Sequence, residues 1–212
     1  MALEKGIAEL VEEFIAAGRP SSRQQSITQR REGYIASAVL AGETETRVDI
    51  QTIELEGMTL RIVSPLNAPT LLPTLIYYYG GCFVSGGFAT QDNQLRQLAY
   101  YGQCRSIAVQ YRLAPQHTFP AAHDDAQRAA ELVRQHAEQL GVDKQRITLA
   151  GDSAGGHLAL VTALRLKRAG EWQPAQLILI YPMLDATAHF ESYIRNGHDY
   201  IITRDTLLSG FE

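Results

Sequence analysis

Ile147-Thr148-Leu149-Ala150-Gly151-Asp152-Ser153-Ala154-Gly155-Gly156 joins a short apolar run to a helical pattern through the spacing G-x-S-x-G. A serine hydroxyl works as a nucleophile when the chain lifts it clear, and a strand that reverses into a helix within one residue does so. That reversal needs small residues two before and two after the serine, which Gly151 and Gly155 provide. The helix that follows places its free N–H groups beneath negative charge forming on a substrate oxygen. Ser153 is the candidate nucleophile and Ala154 the first amide donor.

Tyr79-Gly80-Gly81-Cys82-Phe83 closes an earlier apolar run. Acyl transfer needs donors from two separate loops, one after the nucleophile and one from a glycine-rich loop after another strand. Gly81 and Cys82 are the candidate donors of the second loop, with Gly80 supporting its turn. The donors are backbone groups, so cysteine serves where glycine is commoner. A phosphate-binding reading of this loop fails: Gly81 and Gly86 have the required gap, but Gly87-Phe88 stands where Lys and Ser or Thr are needed.

The elements that must position these loops follow from hydrophobic period. Leu3, Ile7, Leu10, Val11, Phe14 and Ile15 fall on one face of a helix over 3–17, with glutamates on the other and Gly18 and Pro20 beyond. An acidic outer face predicts packing onto the body of the protein rather than onto a membrane. Residues 19–44 read as loop and marginal helix, and Arg23, Arg30 and Arg31 as a solvated basic face. Val48, Ile50 and Ile53, then Leu60, Ile62 and Val63 after Glu56-Gly57, predict a hairpin of two outer strands. Apolar runs at 75–79, 106–111, 146–150 and 176–181 predict buried strands, and helical patterns cover 124–140 and 154–168. Strands alternating with helices imply a mostly parallel sheet with helices on both faces, chemistry gathering past the carboxyl ends of its strands. Tyr78 and Phe83 are the pocket-lining candidates by position.

Composition narrows the function classes. Of 212 residues, 45% are hydrophobic and 20% charged, and 19 basic against 23 acidic side chains give a net charge of −4. This is the balance of an ordinary globular chain with a real core, and it lacks the basic footprint of nucleic-acid binding. Cys82 and Cys104 read as reduced thiols, no His/Cys/Asp cluster has metal-ligand spacing, and no cofactor motif is present. The N-terminus carries no secretory pattern, and the apolar stretch 71–79 is too short to span a bilayer. A cytoplasmic protein without membrane partners is the expectation.

Four motifs occur in fixed order over about residues 45–210: the glycine loop 79–83; Tyr111-Arg112-Leu113-Ala114-Pro115 with Phe119-Pro120-Ala121-Ala122 and Asp125; the serine motif; and Tyr181-Pro182-Met183-Leu184-Asp185. Together they resemble the hormone-sensitive-lipase-like (GDXG) esterases of the α/β-hydrolase fold. The resemblance implies a carboxylesterase acting on small-molecule esters with short or medium acyl groups. It casts Ser153 as nucleophile and Gly81, Cys82 and Ala154 as oxyanion donors, with a cap built partly from the N-terminal helix. It divides the chain into an N-terminal cap segment (1–44), an α/β-hydrolase core (45–186) and the start of a second cap segment (187–212). The family's glycine loop usually opens with histidine, where this chain has Tyr79.

In the resembling family the acid and base follow the serine in the order Asp, His, after a seventh and an eighth strand, and neither strand pattern is found here. The expectation is an incomplete core missing its last two strands, and a chain almost inert by itself, because losing the base costs on the order of 10⁶ in kcat. Asp185 with His189 or His198 is the alternative within the chain, although the resemblance makes Asp185 structural and places both histidines in a cap segment. His157, four residues past the serine, should point away from the hydroxyl; His117, His123 and His136 carry no motif. The 176–181 run would present an apolar sheet edge and favour self-association. A non-catalytic ligand-binding protein on the same fold and a product without function are the competing readings; a strained serine argues against the former.

Overall fold

Glu56 (φ 48°) and Gly57 (φ 79°) both adopt left-handed backbone, and the flanking Leu55 and Met58 are paired. This is the two-residue turn whose twist matches that of antiparallel strands. It joins β1 (Val48–Leu55) to β2 (Met58–Pro65), the hairpin predicted from alternation. The computed structural model describes residues 3–18, 20, 22–198 and 200–211. They form two units, one of residues 31–183 and one of residues 1–30 with 184–212.

In the larger unit, β2 pairs antiparallel with β4 (Arg105–Val109), which runs parallel to β3 (Leu72–Tyr78), then β5 (Val142–Asp152) and β6 (Gln176–Ile180). The order β1-β2-β4-β3-β5-β6 makes β3 central, and its residues are almost all buried, as a strand covered on both faces requires. From β3 the chain moves to β4 on one side and then crosses to β5 on the other. Right-handed crossovers therefore place the connecting helices on opposite faces. The first is α3 (Phe88–Gly102), packed on β1, β2 and β4. The second face carries α4 (Ala121–Gln135), α5 (Ala137–Leu140) and α6 (Ala154–Arg168); α6 packs on β3, β5 and β6, and α4 on α6. The core runs between these layers through Leu60, Ile76, Ile107, Leu149 and Leu158, each at most 1% exposed.

One helical expectation changes, and one helix, α3, is added to those the period predicts. The helix read over 124–140 is broken at His136, whose backbone leaves the helical region (φ −92°, ψ 21°) before α5 begins. Helix α3 carries no clear apolar stripe, because polar residues occupy its inner face. Buried Asn93 donates to the carbonyls of Ala41 and Glu43 at 2.8 Å and accepts from the Glu45 amide at 2.9 Å. Buried Gln91 donates to the Tyr34 hydroxyl at 2.9 Å. These bonds fasten the segment before β1 to the sheet.

The smaller unit contains α1 (Lys5–Ala16), with Val11 buried, and two short helices, α7 (Glu191–Arg195) and α8 (Arg204–Leu208). The Thr203 hydroxyl caps α8 by accepting from the Thr206 amide. Helix α2 (Ile27–Ala36) runs from this unit into the larger one. Of the basic face expected of Arg23, Arg30 and Arg31, Arg23 is exposed and the other two are half-buried, all three with hydrogen-bond partners. Arg23 pairs with Asp205 at 2.6 Å, Arg30 donates to the Ser209 hydroxyl, and Arg31 donates to the carbonyls of Val84 and Ala114. Among the described residues no helix is long and apolar enough to cross a membrane.

Candidate active site

Strands β3 and β5 are neighbours in parallel register, with Tyr78 opposite Gly151. The loops that leave their carboxyl ends, Tyr79–Phe83 and Asp152–Ser153, therefore start side by side where the strand order reverses. That is where ligands enter open α/β sheets.

Ser153 stands between β5 and α6 with φ 53° and ψ −118°, outside the regions a side-chain-bearing residue prefers. Such a conformation costs about 1–3 kcal/mol and persists only when its surroundings fix it. Here the Ser153 amide donates to the Ile180 carbonyl at 2.9 Å, and the Ser153 carbonyl accepts from Met183 and His157 amides at 3.1 Å. A Cβ at Gly151 would run into the Gly155 carbonyl, and one at Gly155 into the Tyr78 carbonyl. Both positions must be glycine for α6 to start this close to β3. Ala154, the first residue of α6, has an amide with no carbonyl one turn earlier to bond.

The glycine loop is wound just as tightly. Gly81 (φ 126°), Cys82 (φ 52°) and Phe83 (φ 61°) all have positive φ, and the Gly81 carbonyl accepts from the Val84 amide, the Ser85 amide and the Ser85 hydroxyl at 3.0–3.1 Å. A Cβ at Gly81 would meet the Ser85 carbonyl and one at Gly80 the Asp152 carboxylate. The Arg31 guanidinium, 2.8 Å from the Val84 carbonyl, closes the outer side of the turn. Tyr79, at the position where the resembling family has histidine, stacks on Tyr111 with ring centroids 4.4 Å apart. Each of the two hydroxyls donates to the other residue's carbonyl, at 2.6 and 3.3 Å. Tyr78, expected to line a pocket, is instead fully buried and donates its hydroxyl to the Ala126 carbonyl at 2.8 Å. A buried phenol needs such an acceptor, and helix α4 supplies it.

Asp152 ties the two loops together. Its Oδ1 accepts from the Gly80 amide at 3.0 Å and the Tyr77 hydroxyl at 2.7 Å, while Gln94 donates to that same hydroxyl at 2.9 Å. Burial raises the Asp152 pKa, and the bonds from Tyr77 and Gly80 pull the other way. With the folded value raised, the neutral acid is favoured by folding, and that contribution is lost as pH rises through the folded pKa. Asp152→Asn keeps an acceptor and carries no charge, so it is expected to unfold at an equal or higher denaturant midpoint at pH 7. Asp152→Ala strands a buried amide and a buried phenol, for a loss of about 2–4 kcal/mol by the same measurement.

Three histidines of this unit are already engaged. His136 pairs with Glu56 at 3.1 Å. His157 bonds the Met183 carbonyl through Nδ1 and the His123 ring through Nε2. His123, which carried no motif, is thus placed 3.0 Å from His157 and stacks on Phe83. Among the described residues nothing hydrogen-bonds to the Ser153 hydroxyl. In the smaller unit Asp185 closes a turn, accepting from the Thr187 amide at 3.0 Å and hydroxyl at 2.6 Å. Among the described residues no group of three or more His, Cys, Asp or Glu is arranged to hold a metal ion.

Comparison with known proteins gives this geometry a context. A family profile described as alpha/beta hydrolase fold matches residues 75–212. Ethyl acetate hydrolase of Pseudomonas putida is 35% identical over 209 residues, 94% of this chain and 66% of that protein. Carboxylesterase NlhH of Mycobacterium tuberculosis is 35% identical over 166 residues, 77% of this chain and 52% of that protein. The chain therefore spans less than two thirds of the length of these curated relatives. An esterase from Pyrobaculum calidifontis superposes with TM-score 0.88 at 34% identity, over 100% of this chain and 69% of that one. An ester hydrolase from the metagenome of Lake Arreo gives 0.89 at 33%, over 99% and 70%. On the profile match, the shared sequence and the close superposition, the chain belongs to the hormone-sensitive-lipase-like family of the α/β-hydrolase fold.

Proposed function

We propose that this chain carries the nucleophile and oxyanion-binding half of a serine carboxylesterase for short to medium acyl esters. Ser153 attacks the ester carbonyl, the amides of Gly81, Cys82 and Ala154 hold the oxyanion, and water releases the acid from an acyl-serine intermediate. The observation that carries this reading is the Ser153 backbone at φ 53°, ψ −118° between β5 and α6, a strain that a purely structural turn has no use for. The names of the relatives, ethyl acetate hydrolase and acetyl esterase, support a short acyl group. Labelling with a fluorophosphonate tests it: modification mapped to Ser153 supports the reading, and modification scattered over surface serines sinks it.

Turnover by the 212-residue chain is slow in this proposal, because among the described residues no histidine ring bonds the Ser153 hydroxyl and the rings of His123 and His157 are committed to each other. The edge of β6 has a second consequence. Leu177 and Ile178 are 39% and 42% exposed there. A flat apolar edge with free ladder positions invites strand pairing between copies. The chain is expected to sediment as a concentration-dependent oligomer, and Ile178→Lys to shift it toward monomer; unchanged sedimentation would exclude β6 as the contact.

A further inference from the structure

His123 on α4, 8% exposed, and His157 on α6 approach through their Nε2 atoms at 3.0 Å. The carbonyl of Met183, 2.8 Å from His157 Nδ1, can only accept, so the proton of a neutral His157 resides on Nδ1. His157 Nε2 is then a bare acceptor, and the proton between the rings belongs to His123. The opposite tautomer of His123 would set two lone pairs against each other and leave a buried Nδ1–H without a partner, since that nitrogen has none. Phe83 rests on this pair. Its ring stacks on His123 (centroids 5.7 Å, 25°) and meets His157 edge-on (5.6 Å, 85°), while Phe119 closes the far side of His123 at 5.0 Å. Phe83 is also the second of two consecutive left-handed residues after Gly81, a backbone that its own side chain disfavours.

We propose that His123 is a positioning residue: its Nε2–H, donated to His157 Nε2, holds the Phe83 ring and through it the left-handed Cys82–Phe83 turn. For catalysis this rests on the reading above, in which the amides of Gly81 and Cys82 serve the reaction. The bond needs a bare His157 Nε2, since a proton on each Nε2 would set two donors against each other. The charged groups facing His123 are Asp124 on its own helix and Arg165 on α6, themselves paired at 2.8 Å. Burial first, then His157 and Arg165, hold its pKa down to about 4 against the pull of Asp124. At neutral pH the His123 ring is therefore uncharged, as the single Nε2–H tautomer requires.

Nitrogen-15 spectra of the imidazole rings, recorded on the 212-residue chain, test this directly. The expected result is one tautomer for each ring at pH 7, Nδ1–H for His157 and Nε2–H for His123. His123→Leu should move the Gly81, Cys82 and Phe83 amides together at pH 7. His123→Gln, whose carboxamide can still donate to His157, should restore their wild-type positions, which a simple packing role would not. Fluorophosphonate labelling of Ser153 is read separately, and His123→Leu should slow it by at least tenfold, up to the roughly 10²–10³ that a lost oxyanion donor costs. Mixed tautomers, or amides at 81–83 unmoved by His123→Leu, would overturn the proposal. Expected tautomers in a wild-type chain that never labels would instead sink the nucleophile reading and leave the bond standing.

Discussion

Fluorophosphonate treatment of the 212-residue chain is expected to modify Ser153 alone, slowly, and Ser153→Ala is expected to abolish it. The selectivity comes from geometry. Ser153 is the residue forced to φ 53° at the start of a 15-residue helix, beside a loop whose Gly81 and Cys82 amides leave the neighbouring strand. Donors of that kind are each worth about 10²–10³ in rate, and surface serines have none. The slowness comes from the base. Losing the histidine of a serine hydrolase costs on the order of 10⁶, and among the described residues no ring bonds the Ser153 hydroxyl. Free imidazole in the buffer should therefore accelerate labelling of wild type and leave Ser153→Ala silent. Mass spectrometry of the labelled peptides decides the matter, and equal labelling of the Ala variant would end the esterase reading.

Gly155→Ala is expected to abolish cooperative folding, whereas Gly33→Ala should stabilise. At Gly155 the added methyl would lie within the Tyr78 carbonyl and 2.8 Å from the Tyr79 carbonyl carbon. Both obstacles are backbone at the end of the central strand, so neither can rotate away. Relief requires moving α6 off the sheet, and a cost above about 4 kcal/mol is expected, a large part of the roughly 5–15 kcal/mol that a domain has. Gly33, inside α2, has open space around its Cα. There the same methyl removes a glycine from a helix interior, a gain of up to about 1 kcal/mol. Chemical denaturation of the two variants gives the comparison. A normal midpoint for Gly155→Ala would mean that α6 does not sit against Tyr78 as described.

The parts of this protein that could be read from its sequence are those written in apolar period or forced by backbone. The hairpin at Glu56-Gly57, the buried β3 and β5 and the turn around Ser153 all carry their pattern in neighbouring residues. Helix α3 does not, because Gln91 and Asn93 face inward to meet Tyr34 and the carbonyls of residues 41 and 43, partners about 50 positions away. Tyr78 looked like a pocket wall and proved to be core, since its fate depends on a carbonyl in α4. His123 and His157 lie 34 residues apart and meet only once α4 and α6 pack together. No local signal announces a pair of that kind.

The pairing of Tyr78 with Gly151 makes ladder register a chemical variable. Sliding β3 past β5 by one dipeptide would keep every side chain on its proper face, yet would displace the Gly81 peptide by about 6.6 Å relative to Ser153, at roughly 3.3 Å per residue. Length changes within either strand therefore threaten reactivity before they threaten the core, and natural insertions in such a chain belong at the opposite end of the sheet.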